Sequence, residues 1–146
     1  MGYVARSLSL FAMVFAVPLH AAAAPSDDES LLEDTQWVLL AFVEEGVKTR
    51  PVEGTEITLA FPADDPSAYG SGGCNRYFGD YEVEDDTISF GSIGSTKMFC
   101  FGDGVMQQES RYFNALQSAD SFKITGTRLR ISYGEGQGVL VFKRGE

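Results

Sequence analysis

Histidine is almost absent from this chain of 146 residues, which carries only His20. His20 lies at the end of an N-terminal segment that we expect to be removed, so the mature chain would hold no imidazole. That absence excludes nucleophiles activated by histidine and zinc sites built on histidine ligands. We therefore predict no catalytic residue, no metal and no cofactor, and a protein that is not an enzyme.

Basic residues are also scarce, with 11 Lys and Arg against 21 Asp and Glu and a net charge of −10. Nucleic acid is not an expected partner, because binding phosphates requires clustered Lys and Arg. Anionic membrane surfaces are disfavoured for the same reason, whereas a basic protein would be attracted. The acidity also agrees with the plain solubility of an exported protein.

Long hydrophobic runs are lacking beyond the N-terminus. The run over residues 8–17 is shorter than the roughly 20 residues that a membrane-spanning helix needs. It follows Arg6 and precedes a group of alanines, which is the layout of a secretory signal peptide. We predict a signal peptide over residues 1–23, a mature chain that begins at Ala24, and a periplasmic or extracellular location. The first cysteine is Cys74, so no lipid anchor is expected after cleavage.

The remainder is long enough for one domain. Residues 24–30 are small, polar and acidic, and they predict a flexible leader before a domain over residues 31–146. Two cysteines, Cys74 and Cys100, would lie in an oxidising compartment, where an even count favours a disulfide. The alternative is a pair of buried thiols, since free cysteine packs as a small hydrophobic residue.

Alternating hydrophobicity indicates a mostly-β chain of the α+β class. Strands are predicted over residues 35–43, 57–61, 77–84, 87–90, 121–125, 127–132 and 138–144. Turn residues separate them at short intervals, which predicts a largely antiparallel meander. The first strand is apolar on both faces and is therefore expected to be central.

One segment has a helical period instead. Its apolar positions are Val105, Met106, Tyr112, Phe113 and Leu116, and Asp103 precedes them as the expected N-cap. We expect this helix to cover the core of a curved sheet, with Met106, Tyr112 and Phe113 inside.

Acidic pairs are the only other candidates for chemistry. Asp64 and Asp65, and the run from Glu84 to Asp86, could supply carboxylates for glycoside hydrolysis or calcium binding. Adjacent carboxylates on a turn usually face water instead. A hydrolase that uses acidic residues is therefore the third of our functional hypotheses.

Two cysteine-containing motifs stand out from this background. The first comprises Gly73, Cys74, Asn75, Arg76 and Tyr77 with Gly79 and Tyr81, and the second comprises Ser95, Thr96, Lys97, Met98, Phe99 and Cys100, followed by Met106 and Glu109. Together they resemble the META-domain family of HslJ-like heat-shock proteins over essentially the whole mature chain. The chain departs from the family at Phe99, where a small residue is commoner, which predicts different local packing there.

The resemblance implies a small, strongly curved antiparallel β-barrel-like sheet with one covering helix and no established enzymatic activity. The chemistry of the motif residues favours a structural role. Glycine at position 73 permits backbone angles that other residues avoid, and Asn75 can bond its own turn. Glu109 is expected to form a structural ion pair with Arg76 or Lys97 and not to act as a catalytic acid.

Three functions stay open at this point. The first is a monomeric, non-enzymatic envelope module for stress response or binding, whose partner is an unknown protein or a small apolar ligand, because the resemblance links the chain to heat shock and antibiotic tolerance. The second is a periplasmic inhibitor of a basic hydrolase such as lysozyme, suggested by size and acidity. The third is the acidic hydrolase.

Overall fold

The computed structural model of the chain describes residues 27–146, so the predicted signal peptide lies outside the described residues. Its two helices are α1 (Asp27–Leu32) and α2 (Val105–Gln117). Its strands are β1 (Gln36–Glu44), β2 (Val47–Thr49), β3 (Thr58–Ala60), β4 (Ser67–Ser71), β5 (Arg76–Glu84), β6 (Thr87–Phe90), β7 (Gly94–Ser95), β8 (Ala119–Thr125), β9 (Arg128–Tyr133) and β10 (Gly138–Arg144).

Eight of these strands close into an antiparallel barrel. Neighbours run in the order β1, β3, β4, β5, β6, β8, β9 and β10, and β10 pairs again with β1. Closure leaves these strands without a free edge, which removes the usual route to edge-to-edge aggregation. The predicted mostly-β class, the meander and the barrel-like shape are confirmed.

β1 holds the barrel together as its sequence predicts. It pairs with β10 from Trp37 opposite Arg144 to Glu44 opposite Gly138, with a shift in register between Leu39 and Ala41. It also pairs with β3 near its start and with β2 near its end. A strand with partners on both sides and side chains packed on both faces needs the nearly continuous apolar sequence seen here.

The barrel interior is filled by large side chains. Those with less than 2% exposure include Trp37, Phe42, Phe61, Tyr112, Phe142, Leu59, Ile88, Leu129 and Ile131. Tyr112, Ala115 and Leu116 bring one face of α2 into this core. α2 lies across the rim formed by the end of β4, the start of β5 and the end of β1, as its contacts described below show.

α1 lies at the opposite rim and corrects the prediction of a flexible leader. Its residues 27–30 belong to the segment for which no regular structure was expected. The reason is the next turn of the helix, where Leu32 is only 1% exposed and its carbonyl oxygen accepts a hydrogen bond from Trp37 Nε1 at 3.5 Å. The buried leucine anchors a helix that the polar composition alone did not indicate.

Other details differ from the sequence prediction, since β2 and β7 were not predicted and β3 is shorter than the strand expected over residues 57–61. The N-cap of α2 is Gly104, with φ of 83°, and no side chain caps this end, so the capping role assigned to Asp103 is wrong. β4, with the sequence SAYGS, was not predicted because it lacks apolar alternation. Gly70 is needed there, since a Cβ at this position would lie 2.0 Å from the carbonyl oxygen of Thr58.

Candidate binding surface

A disulfide joins the two cysteine motifs. Cys74 lies in the turn between β4 and β5, and Cys100 lies between β7 and α2, with their α-carbons 5.9 Å apart. The predicted pairing is thus the one present in the structure, and the described residues hold no free cysteine. A disulfide of this kind fits an oxidising, extracytoplasmic environment.

Asn75 connects three parts of the chain at this position. The side chain is 3% exposed, and its Oδ1 accepts hydrogen bonds from Thr96 Oγ1 and from the Met98 amide, both at 2.8 Å. Its Nδ2 donates to the Met98 carbonyl oxygen at 3.1 Å and to Glu109 Oε1 at 2.7 Å. The Asn75 side chain was expected to bond the backbone of its own turn. Within that turn its Nδ2 reaches only Cys74 Sγ, at 3.7 Å, and its other hydrogen bonds join the turn to two distant segments.

Glu109 completes this network from α2. Its Oε2 accepts the backbone N–H groups of Cys74 at 3.1 Å and Asn75 at 2.6 Å. Glu109 is 4% exposed, whereas Arg76 and Lys97 are both exposed, so the predicted ion pair is wrong. The inward-pointing N–H groups of the turn satisfy the buried carboxylate without a cation.

The other motif residues support the same turn. Gly73 has φ of 102°, a conformation that L side chains rarely adopt. Tyr77 points inward from β5, and its hydroxyl lies 2.7 Å from that of Tyr112. Gly79 packs closely on Ile93, because a Cβ there would lie 2.8 Å from Ile93 Cδ1. The structure therefore places these residues in a scaffold.

The scaffold presents residues 96–102, which we call the aromatic loop. Cys100 points inward to its disulfide, and the residues on either side of it point outward. Phe99 is 69% exposed and Phe101 93% exposed, and their ring centroids lie 5.4 Å apart in an edge-to-face arrangement. Met98 is 56% exposed on the same loop. The departure from the family at Phe99 thus adds an aromatic side chain to the surface.

Two more exposed aromatic residues lie on β4 and β5, the strands on either side of the Cys74 turn. Tyr69 on β4 and Phe78 on β5 are register partners and are 52% and 63% exposed. Phe78 also lies opposite Gly94 on β7, the strand that continues into the aromatic loop. Exposed apolar side chains that gather in one region of a surface are typical of an interaction site.

A second surface feature is an open groove of about 760 Å³ beside α2. Arg111 forms a two-pronged contact with the Glu44 carboxylate, with Nη2 to Oε2 at 2.7 Å and Nε to Oε1 at 3.2 Å. Tyr133 donates its hydroxyl to Glu44 Oε1 at 2.5 Å, and the Arg111 guanidinium lies 4.3 Å from the Phe42 ring centroid. Met106, expected in the core, is only half-buried and lines this groove.

The charged and polar side chains of Glu44, Arg111 and Tyr133 in this groove are paired with one another. Hydrogen bonds from Arg111 and then from Tyr133 hold the pKa of the Glu44 carboxyl below its ordinary value. Burial, assisted by the hydrogen bond to Glu44, raises the pKa of the Tyr133 phenol. Both shifts keep Glu44 ionised and Tyr133 neutral, so these three side chains satisfy one another and link α2 to β1 and β9.

The lowered pKa gives a testable pH dependence. Relative to Glu44→Gln, the wild-type chain should be more stable above the ordinary carboxyl pKa of 4.5, by up to about 1 kcal/mol for a half-exposed pair. This advantage should vanish as the pH falls through the lowered pKa of folded Glu44, because the carboxyl is then protonated in both states. Urea unfolding between pH 3 and 7 would check it, with Glu45→Gln on the same hairpin as the control. An advantage that persists undiminished at low pH would contradict this assignment.

Among residues 27–146, no group of three or more His, Cys, Asp or Glu side chains is arranged to hold a metal ion. Within the same residues, no helix has the length and apolar character needed to cross a membrane.

The fold is a small closed antiparallel barrel with one rim covered by α2, and the sequence comparisons identify its family. The META domain model matches residues 30–146, so the chain belongs to the META-domain family. The structure of a protein from Burkholderia xenovorans, solved by NMR, is similar at 32% identity with a TM-score of 0.68, covering 90% of this chain and 99% of that one.

Two more distant structures share the fold alone. One is an NMR structure at 19% identity with a TM-score of 0.61, covering 78% of this chain and 92% of that one. The other is a crystal structure of a duf4847 family protein from Bacteroides vulgatus at 14% identity with a TM-score of 0.57, covering 80% and 96% respectively. No curated protein matches the sequence significantly.

Proposed function

We propose that this META-domain protein acts outside the cytoplasm, in the cell envelope, as a non-enzymatic binding module that contacts its partner through the aromatic loop. The observation that carries the proposal is the exposure of Phe99 and Phe101 on a loop that is cross-linked to the barrel. Large apolar side chains held rigidly in solvent supply contact area with little loss of conformational freedom on binding. The disulfide supports an extracytoplasmic location.

The absence of catalysis is also part of this proposal. The two carboxylates best placed for chemistry, Glu109 and Glu44, accept hydrogen bonds from the chain's own turn and from Arg111 and Tyr133. A carboxylate with such partners has few lone pairs left for substrate or water. A role in envelope stress, which the family implies, agrees with a module that binds without turnover.

Retention by isolated envelopes of the source cells would test the proposal. The exported chain, expected to begin at or near Ala24, should sediment with envelope membranes, and Phe99→Ser with Phe101→Ser should abolish most of that retention. Val47→Ser is the matched control, because Val47 is 65% exposed on β2 and outside the loop. Cytoplasmic recovery of an intact Met1 chain, or equal retention of all three proteins, would contradict the proposal.

The inhibitor hypothesis is tested by a pull-down from envelope extracts with this chain as bait. A periplasmic inhibitor should retain one basic hydrolase such as lysozyme tightly and lower its activity. Electrostatic attraction between an acidic inhibitor and a basic enzyme would also make that retention decrease steeply with salt. Such a complex that survives the two phenylalanine substitutions would replace the proposed function with the inhibitor.

A further inference from the structure

The aromatic loop is a small projection on the surface of the protein. Phe101 keeps 93% of its surface exposed, although its ring contacts that of Phe99. With Phe99 and Met98 it presents on the order of 400 Å² of surface, given the typical areas of such side chains. A specific protein interface needs about 800 Å² on each partner, so the aromatic loop alone is too small to form one. Insertion into a lipid interface needs no complementary surface.

The charges around the loop favour lipid as the occupant. Residues 91–102 contain Lys97 and no carboxylate, in a chain whose net charge is −10. Arg76, also exposed, lies opposite Thr96, whose amide donates to the Arg76 carbonyl oxygen at 3.0 Å. Three carboxylates lie in this region. Glu109 is buried behind the loop, where the Cys74 amide and Asn75 bond it. Asp103 follows the loop, and Glu56 borders the same surface groove as Arg76.

This pattern fits an uncharged bilayer surface. Basic side chains beside aromatic ones can reach the lipid phosphates while the rings enter the interface. The strong negative charge of the whole chain would oppose binding to a highly anionic bilayer. Phospholipids whose headgroups carry no net charge avoid that repulsion and still offer phosphate groups to Lys97 and Arg76.

The backbone of the aromatic loop is already ordered before any insertion. The Cys74–Cys100 disulfide and the bonds of Asn75 to Thr96 and Met98 fix its backbone. Ordering the loop on binding would therefore require little further loss of conformational entropy.

We propose that the aromatic loop inserts Phe99 and Phe101 into the interface of a phospholipid bilayer with zwitterionic headgroups. This inference rests on the proposed function and names the partner of the same surface. Lys97 and Arg76 contact the headgroup phosphates, and the barrel remains in water.

Sedimentation with vesicles of pure phosphatidylcholine tests the proposal. The wild-type mature chain should sediment with the vesicles, and Phe99→Ser with Phe101→Ser should lower the partition coefficient about tenfold or more, as expected for removing two apolar side chains. Lys97→Gln should lower it by a smaller factor, and Val47→Ser should leave it unchanged. Circular dichroism of each variant confirms that it is folded, which we expect because both phenylalanines are exposed.

Other outcomes would overturn the lipid assignment in recognisable ways. If envelopes retain the chain through the loop but pure vesicles do not, the partner is a protein, and the proposed function stands without the lipid. If sedimentation equilibrium shows a dimer that the two serine substitutions abolish, the occupant is a second copy of this chain. If Val47→Ser weakens vesicle binding as much as the double phenylalanine substitution does, the aromatic loop is not the contact surface. Both proposals would then be wrong about the loop.

Discussion

Glu109→Ala should lower the free energy of unfolding by about 3 to 5 kcal/mol, because it leaves several buried donors without an acceptor. The Glu109 carboxylate accepts the amide N–H groups of Cys74 and Asn75 and the side-chain amide of Asn75, at 2.6 to 3.1 Å. Each unsatisfied buried donor costs about 1 to 3 kcal/mol, although such losses do not add fully within one network. Urea unfolding of the oxidised chain gives the measurement.

Two variants make the result specific to the acceptor. Glu109→Gln keeps one oxygen but turns an NH₂ group toward a donor, so it should have an intermediate effect. Gln107→Ala removes an exposed polar side chain from the same helix and should change stability by less than about 0.5 kcal/mol. Equal stability of Glu109→Ala and Gln107→Ala would show that the network does not support the fold.

Loss of the disulfide should have the second large effect. Cys74→Ser or Cys100→Ser should lower the free energy of unfolding by about 3.5 kcal/mol on the chain-entropy estimate. The link joins positions 26 residues apart, so it restricts a sizeable loop of the unfolded chain. Urea unfolding of the two single variants and the double variant supplies the comparison.

The double variant discriminates between a bond and two separate packing effects. It should be little worse than either single variant, because each single change already breaks the same bond. Reduction of the wild-type chain should lower its stability by a similar amount. Two free thiols in the unfolded, unreduced protein, or fully additive losses, would contradict the bond.

The elements with a periodic apolar pattern could be predicted from the sequence. β6 and β10 begin and end where alternation predicted them, and α2 differs from its apolar stripe by a residue at its end. β4 was not predicted, because its Ser, Ala, Tyr and Gly residues show no alternation of apolar and polar side chains; its pairing with β5 makes it a strand. α1 was not predicted, because its single buried anchor, Leu32, stands beside a polar segment.

The contacts of the candidate site were harder to predict from the sequence, because they join distant positions. Asn75 and Glu109 are 34 residues apart, and Glu44 and Tyr133 are 89 apart, so no local pattern indicates either pair. The exposure of the aromatic loop was not predicted either. The departure from the family at Phe99 predicted only different local packing there, and hydrophobicity alone predicts burial, whereas Phe99 and Phe101 lie exposed on either side of the disulfide-bonded Cys100.

Amide chemical shifts in phosphatidylcholine bicelles would show which surface of the protein contacts lipid. Adding bicelles should change and broaden the signals of residues 97–102, with smaller changes at Arg76 and Phe78 on β5. Signals of residues 110–118, which border the groove beside α2, should stay in place. Changes confined to residues 110–118, or no change at any amide, would contradict the claim that the aromatic loop is the contact surface.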